Sequence, residues 1–186
     1  MNIRTIFAEH AAVMGAASAL WPSLEEAIAM LRASLAAGHK VLACGNGGSA
    51  ASAQHFVAEL VCRFHDDRHA LAAVALTADA ATLTAIGNDY GYARVFARQV
   101  EALGRPGDVL VAISTSGNSA NVIDAVRTAR ACGCKVIALT GAGGGAIARE
   151  VDVAVCVPSA VTARIQEVHD VCIHAIAQAL EEGLDD

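Results

Sequence analysis

Residues 44–60 read C-G-N-G-G-S-A-A-S-A-Q-H-F-V-A-E-L. The stretch begins where the apolar run Lys40-Val41-Leu42-Ala43 stops, which predicts a short buried strand running into a glycine-rich turn. Gly45, Gly47 and Gly48 permit backbone angles closed to other residues and let a ligand approach the main chain. Ser49 then stands at an N-cap position before the helix-forming run Ala50 to Leu60. A strand, a glycine turn and a helix N-terminus together form an anion site, because free N–H groups and the helix dipole point at it. The same helix carries His55 and Glu59, four residues apart and on one face. An anion cradle one or two turns from a proton-transfer or metal-binding pair points to an enzyme.

Each feature has an ordinary reading as well. Gly45-x-Gly47-x-x-Ala50 satisfies the dinucleotide fingerprint, which alone is weak. That fingerprint expects an acidic residue about 20 positions on, at the end of a second strand. Asp66 and Asp67 are near, but the chain before them reads as helix, which counts against a nicotinamide site. His55 alone is more often a packed or surface histidine than a ligand; beside Glu59 and the glycine turn the two readings balance. The rest of the chain has to decide.

Downstream, the pattern repeats. Asp108 to Ile113 reads as a strand, Ser114-Thr115-Ser116-Gly117-Asn118-Ser119 as a hydroxyl-rich turn, and Asn121 to Ala131 as a helix. Hydroxyls clustered around a glycine at a helix start can donate to phosphate oxygens without a lysine. No Gly-Lys-Ser or Gly-Lys-Thr follows, so a phosphosugar fits better than a nucleoside triphosphate. Between the two units lie a polar connection (63–69), a strand over Leu71–Leu76, and a helix capped by Asp79 and ending near Gly87. The turn signal Asn88-Asp89-Tyr90-Gly91 and a helix from Tyr92 to Leu103 complete the segment. Strands over Lys135–Leu139 and Asp152–Val157, separated by the loop Thr140–Gly145 and a short helix, precede a last helix from Thr162 to Glu182. Strands alternating with helices imply an α/β fold, a three-layer αβα sandwich on a five-stranded parallel sheet, with ligands at the carboxyl ends of the strands.

Two helices come first. Ile3, Ile6, Phe7, Ala11 and Met14 follow a helical spacing; Pro22 and Ser23 break it, and Ser23 with Glu26 forms a capping box for a second helix ending at Ala37 before Gly38. Residues 1–38 are thus extra helices for packing or oligomerisation, and 39–186 the α/β core of one domain. Trp21, the only tryptophan, reads as a packing anchor.

A chain of 186 residues buries a sizeable core without staples. A net charge of −6 speaks against nucleic acid as a partner. No secretory signal opens the sequence and no apolar run reaches membrane-spanning length, so the expectation is a soluble, cytoplasmic protein. The six cysteines lack the spacing of a zinc ribbon and read as reduced, packed thiols. In the last helix, Gln166 and His174 are eight residues apart, a rotation of roughly 80° with about 12 Å of rise. They cannot touch, yet could flank one site. His169 and Asp170 read as solvent-facing, and an ordinary amphipathic helix explains the polar residues equally well.

Taken together, C-G-N-G-G-S-A-A-S-A-Q-H-F-V-A-E-L at 44–60, A-I-G-N-D-Y-G at 85–91, I-S-T-S-G-N-S at 113–119 and R-I-Q-E-V-H at 164–169, continuing to His174, resemble the sugar isomerase (SIS) domain. Within it they resemble the phosphoheptose isomerases of bacterial heptose synthesis, over nearly the whole chain. The resemblance implies a flavodoxin-like winding and the conversion of sedoheptulose 7-phosphate to D-glycero-D-manno-heptose 7-phosphate through an enediol. It implies that Ser114, Thr115, Ser116 and Ser119 bind the sugar phosphate and that Asn46, Gly47 and Ser49 line the sugar pocket. Arg63, Asn88, Asp89 and Gln166 are implied as further substrate contacts. Glu59 and His174 match the acid–base pair, and His55, Glu59, Gln166 and His174 match a zinc site present in some members. The resemblance further implies a homotetramer with active sites at subunit interfaces. Some members carry an aspartate where this chain has Ala163, so any substrate contact by that carboxylate is absent. A close relative shares C-G-N-G-x-S-A-A-x-A-Q-H-F and A-R-I-Q-E yet binds a replication initiator instead of catalysing. Such relatives lack the glutamate and histidine matching Glu59 and His174, which this chain retains, so catalysis is the favoured expectation and partner binding the alternative.

Overall fold

The computed structural model describes residues 2–183. Its centre is β1 (Val41–Gly45), buried at every position. β1 pairs in parallel with β2 (Ala73–Ala75) and β3 (Val109–Ser114); β3 pairs with β4 (Lys135–Thr140), and β4 with β5 (Val153–Cys156). The order β2-β1-β3-β4-β5 is the flavodoxin-like winding. Side chains alternate between the two faces of the sheet. Val41, Ala43, Val109 and Val111 enter one core with Leu31, Phe56, Leu60 and Ile173, while Leu42, Cys44, Leu110 and Ala112 enter the other with Phe96, Val100, Val122 and Val126. The first core is covered by α2 (Trp21–Ala36), α3 (Gly48–Val61) and α7 (Thr162–Gly183). The second is covered by α4 (Ala80–Tyr90), α5 (Ala97–Leu103) and α6 (Ala120–Ala131).

Several expected boundaries move, each for a local reason. α1 (Ile3–Gly15) gives way to a 3₁₀ turn over Ala17–Leu20, and α2 starts directly at Trp21. Pro22 lies in the first turn of α2, where its missing N–H costs nothing, so it starts the helix instead of breaking one. Ser23 is inside that helix and donates to the Leu20 carbonyl at 2.9 Å; the capping box with Glu26 does not form. Trp21 is 65 % exposed, so it is not a buried packing anchor. α4 continues through Asn88-Asp89-Tyr90 to Gly91, whose φ of 83° ends it. The segment after it is a 3₁₀ turn (Tyr92–Arg94) and the short α5, not one helix. Asp79 does cap α4, accepting from the N–H groups of Ala81 and Thr82. Of the cysteines, Cys44, Cys134 and Cys172 are buried as packed thiols, while Cys62 is exposed.

The far end of the α3–α7 layer is closed by one carboxylate. Glu181, 2 % exposed, accepts from the backbone N–H of Phe64 (2.8 Å), His65 (2.7 Å) and Asp66 (2.9 Å) and from Arg68 Nε (3.2 Å). Burial pushes its pKa up, but these donors and the Arg68 charge outweigh burial and hold it down at about 2. A carboxylate depressed in the fold contributes stability that is complete above its ordinary pKa near 4.5 and disappears as pH falls through about 2. Denaturant titrations near neutrality should show Glu181→Gln less stable than wild type, with the gap narrowing as pH falls through that window. A gap independent of pH would show that the carboxylate charge is not what the loop binds.

Candidate active site

The register sets Cys44 beside Ala112 and Gly45 beside Ile113. The turns after β1 and β3 therefore leave the sheet side by side at its carboxyl edge. The chain runs outward from β1 on one side and from β3 on the other, and open α/β sheets take ligands at such a switch point.

The first turn differs from the expectation in one respect. Gly47, at φ 55°, caps α3, with no side-chain cap hydrogen bond. Ser49 lies inside the helix, 4 % exposed. A Cβ on Gly45 would come within 2.7 Å of the Ser49 carbonyl oxygen, so the tight turn itself requires glycine. Asn46 is locked by a reciprocal amide pair with the buried Asn121 (2.9 and 2.8 Å) and accepts from the Tyr92 hydroxyl at 3.1 Å. Asn121 and Tyr92 were not singled out by sequence, because neither carries a local signal for a contact tens of residues away.

The second turn joins Ser114 and Ser119, whose hydroxyls lie 3.0 Å apart, while the Asn118 N–H donates to Ser116 Oγ at 3.2 Å. It is braced from β4: the Gly141 N–H donates to the Thr115 carbonyl at 3.0 Å and the Ile147 N–H to the Gly117 carbonyl at 3.0 Å. Thr115 and Ser116 line a cavity of about 200 Å³ together with Ser159 and Thr162. Those last two hydroxyls, too, were not anticipated.

The third part is the seam between α3 and α7. Gly48 faces Gln166, Ser52 Oγ donates to Asp170 at 2.6 Å, and His55 Nε2 lies 3.3 Å from His174 Nε2. The two hydrogen-bonded pairs are 118 and 119 residues apart, so the helices run parallel and in step. His55 Nε2 is also 3.0 Å from Glu59 Oε1. The imidazoles of His55 and His174 meet edge to face at 4.9 Å, and the Phe64 ring lies 5.5 Å from that of His174. The structure thus brings His55, Glu59 and His174 together and leaves Gln166 against Gly48, about 10 Å of helix rise away from His55. Arg63, Asn88 and Asp89 are exposed and bond locally, Arg63 to the His65 carbonyl (2.7 Å) and Asn88 to Asp89 (2.7 Å).

His169 corrects the reading of α7. It is fully buried and its Nε2 meets the Thr140 carbonyl at 3.0 Å; since a carbonyl only accepts, Nε2 carries the proton. Burial holds its pKa below the ordinary value, against the raising effects of Thr140 and Asp170. Asp170 is half-buried and points at Ser52.

The SIS domain family profile matches residues 7–141. The phosphoheptose isomerase of Thiobacillus denitrificans is 57 % identical over 174 residues, 92 % of this chain and 88 % of that one. The chain belongs to the SIS domain family, among its phosphoheptose isomerases. Among solved structures, phosphoheptose isomerase from Neisseria gonorrhoeae superposes with a TM-score of 0.92 at 50 % identity, covering 97 % of both chains. The enzyme from Francisella tularensis gives 0.94 at 41 % identity, over 97 % of this chain and 96 % of that one. The three-layer fold expected from sequence is therefore that of this isomerase family.

Within the isomerase fold, two glycines make opposite demands. A Cβ on Gly117, at φ 63°, would sit 2.1 Å from the Gly144 carbonyl oxygen, where only backbone can yield. A Cβ on Gly48 would meet the side-chain amide of Gln166 at 2.6 Å, which can rotate away. Gly117→Ala should therefore lower the unfolding temperature and weaken binding of the sugar phosphate. Gly48→Ala should leave the unfolding temperature near wild type. Calorimetry on both variants decides, and equal losses would mean that the two loops do not interlock as described.

Proposed function

We propose that the chain interconverts sedoheptulose 7-phosphate and D-glycero-D-manno-heptose 7-phosphate, the first step of bacterial heptose synthesis for lipopolysaccharide core or surface glycans. The observation that carries this reading is the meeting of Glu59, His55 and His174 on a seam that starts at the sheet's anion-binding edge. Ser114, Thr115, Ser116 and Ser119 hold the phosphate at the N-terminus of α6, whose dipole favours the anion. Asn46, Gly47 and Ser49 face the sugar, with Arg63, Asn88, Asp89 and Gln166 as further contacts. Aldose–ketose exchange moves a proton between C1 and C2 and another between their oxygens. Glu59 and His174 share these transfers as base and acid.

The proton inventory of the cluster favours that division. Glu59 Oε1 accepts only, so the contact at 3.0 Å requires a proton on His55 Nε2. His174 Nε2 faces the same nitrogen at 3.3 Å and is then left as an acceptor. Two proton-poor groups thus converge on one proton of His55. Because the two act on one transition state, Glu59→Gln and His174→Asn should each lower turnover by about 10² to 10⁴. The double variant should lose far less than the product of the single losses. The assay follows the aldose by NMR from sedoheptulose 7-phosphate. Near wild-type turnover in either single variant would show that the acid–base assignment is wrong, whereas failure of both variants to assemble would return ground to the partner-binding reading.

We further propose zinc as the cofactor, held by His55, Glu59 and His174 with Gln166 as a fourth donor. Two imidazole nitrogens and a carboxylate suit the ion, and tetrahedral zinc with bonds of about 2.0–2.1 Å separates neighbouring donors by about 3.3 Å. The observed separations are 3.3 and 3.0 Å. Among the described residues no three His, Cys, Asp or Glu side chains close on one point, so binding would need side-chain rotation, most of all at Gln166. It would also displace the proton from His55 Nε2 and make Glu59 a poorer free base. When bound, the metal would polarise the substrate carbonyl. Elemental analysis of protein purified without chelator should find zinc, and His55→Ala should lose it. Full activity after exhaustive chelation, with no metal detected, would leave these residues as acid–base groups alone.

A homotetramer with sites at subunit interfaces suits the surface: α1 buries none of its residues, and Ile3, Phe7 and Trp21 are 67, 69 and 65 % exposed. Free cysteines suit a reducing compartment, and we place the enzyme in the cytoplasm. No helix among the described residues is long and apolar enough to cross a membrane.

A further inference from the structure

We propose that Arg68 and Glu181 are positioning residues for the isomerisation: as one buried ion pair they fix the end of α3 that carries Glu59 against the end of α7 that carries His174. This inference rests on the reading of Glu59 and His174 as the reacting pair.

The Arg68 and Glu181 side chains are 2 and 3 % exposed. Arg68 Nη2 donates to the Glu59 carbonyl at 2.8 Å, and Nη1 donates to the carbonyls of Leu60 (3.0 Å) and His69 (2.9 Å). Glu59 and Leu60 belong to the last turn of α3, where carbonyls lack helical partners and the dipole favours a cation. Arg68 therefore caps the turn that holds Glu59. Its Nε reaches Glu181, seven residues beyond His174 and so on nearly the same face of α7. Glu181 in turn takes three successive N–H groups, those of Phe64, His65 and Asp66. The loop held this way places the Phe64 ring 5.5 Å from the His174 ring.

A buried ion pair of this kind contributes little net stability over a well-packed apolar pair, because desolvation offsets the attraction. What apolar residues would not reproduce is direction. One guanidinium fork grips two carbonyls of α3, and one carboxylate grips the loop and that fork together. Glu59 meets His55 and His55 meets His174, and misplacement by about 1 Å can cost about 10²-fold in rate.

Four variants test this, assayed per mole of folded protein well below each unfolding temperature. Arg68→Lys keeps the charge and loses the fork; Glu181→Gln keeps the shape and loses the charge; Phe64→Leu leaves the clamp and removes the ring. Turnover should fall about tenfold or more in Arg68→Lys and Glu181→Gln while KM stays within about twofold, as expected for misoriented reacting groups. Glu181→Asp should recover part of the loss. In protein with labelled histidine and phenylalanine, the nuclear Overhauser contact between the His174 and Phe64 rings should weaken in Glu181→Gln. A residue that only stabilises the fold would change the unfolding temperature and leave turnover per folded molecule and the ring contact as they are; that result overturns the proposal. If Glu181→Gln does not fold, unchanged turnover in both Arg68→Lys and Phe64→Leu overturns it equally. Retained activity in Glu59→Gln and His174→Asn sinks the acid–base reading instead. Lost activity there, with wild-type turnover in the clamp variants, sinks the positioning role alone.

Discussion

The site depends on α3 and α7 lying parallel and in step over one face of the sheet. The right-handed crossover from β1 to β2 places α3 on that face, and α7, which follows β5, packs beside it on the same apolar core; small residues then set how closely the two approach. The first turns of α3 are glycine, serine and alanine, so the long side chains of α7 can lie against its backbone, Gln166 closest at Gly48. Beneath this polar line, Phe56 and Leu60 of α3 pack with Ile165, Val168, Cys172 and Ile173 of α7 in one apolar core. Burial of that core holds the helices together, about 25 cal/mol for each Å² of apolar surface removed from water. The polar line beside it is left to do chemistry.

α7 also reaches the serine turn after β3. His169 holds the Thr140 carbonyl at the end of β4, and the next residue, Gly141, donates to Thr115. Among the described residues Nδ1 of this buried imidazole has no hydrogen-bond partner, so Nε2 alone fixes that strand end. One helix thus positions His174 through its exposed face and the serine turn through its buried one. The separation of the serine turn from the His174 cluster is set by a rigid element, which is what orientation would require of a site spanning both.

Much of this was legible in the chain. The strand–turn–helix units at 41–61 and 109–131 follow from apolar runs broken by glycine and hydroxyl residues, and the paired position of His55 and Glu59 follows from helical spacing. What sequence placed wrongly has local physical reasons. Gly47 at positive φ takes the cap that Ser49 would have taken, and Pro22 is favoured where a helix begins. The burial of His169 did leave a trace, since it lies four residues from both Ile165 and Ile173 on one stripe. Asn121, Ser159 and Glu181 left none, because their partners are distant in sequence and each residue type is common in turns or helix ends. Which residues of the family's site this chain retains came from the resemblance of whole motifs and not from spacing.

The exposure of the cluster bears on how it works. The side chains of His55 and Glu59 are 41 and 21 % exposed in the single chain, and His174 is open to solvent. Water around such a group weakens every charge interaction it makes, since Coulomb energies fall in proportion to the dielectric constant. It also lets an enediol exchange protons with solvent. A cover is needed, and the chain has apolar surface to offer one: Phe7 stands bare on α1, which buries none of its residues, and Trp21 at the exposed start of α2. α1 is tied to the start of α7, through Arg164 to the Ile6 carbonyl at 2.8 Å and His10 to Glu167 at 2.7 Å. Association through these helices would therefore bear on the helix that carries His174. Assembly and catalysis would then share one mechanical element, with the clamp at Glu181 holding its far end.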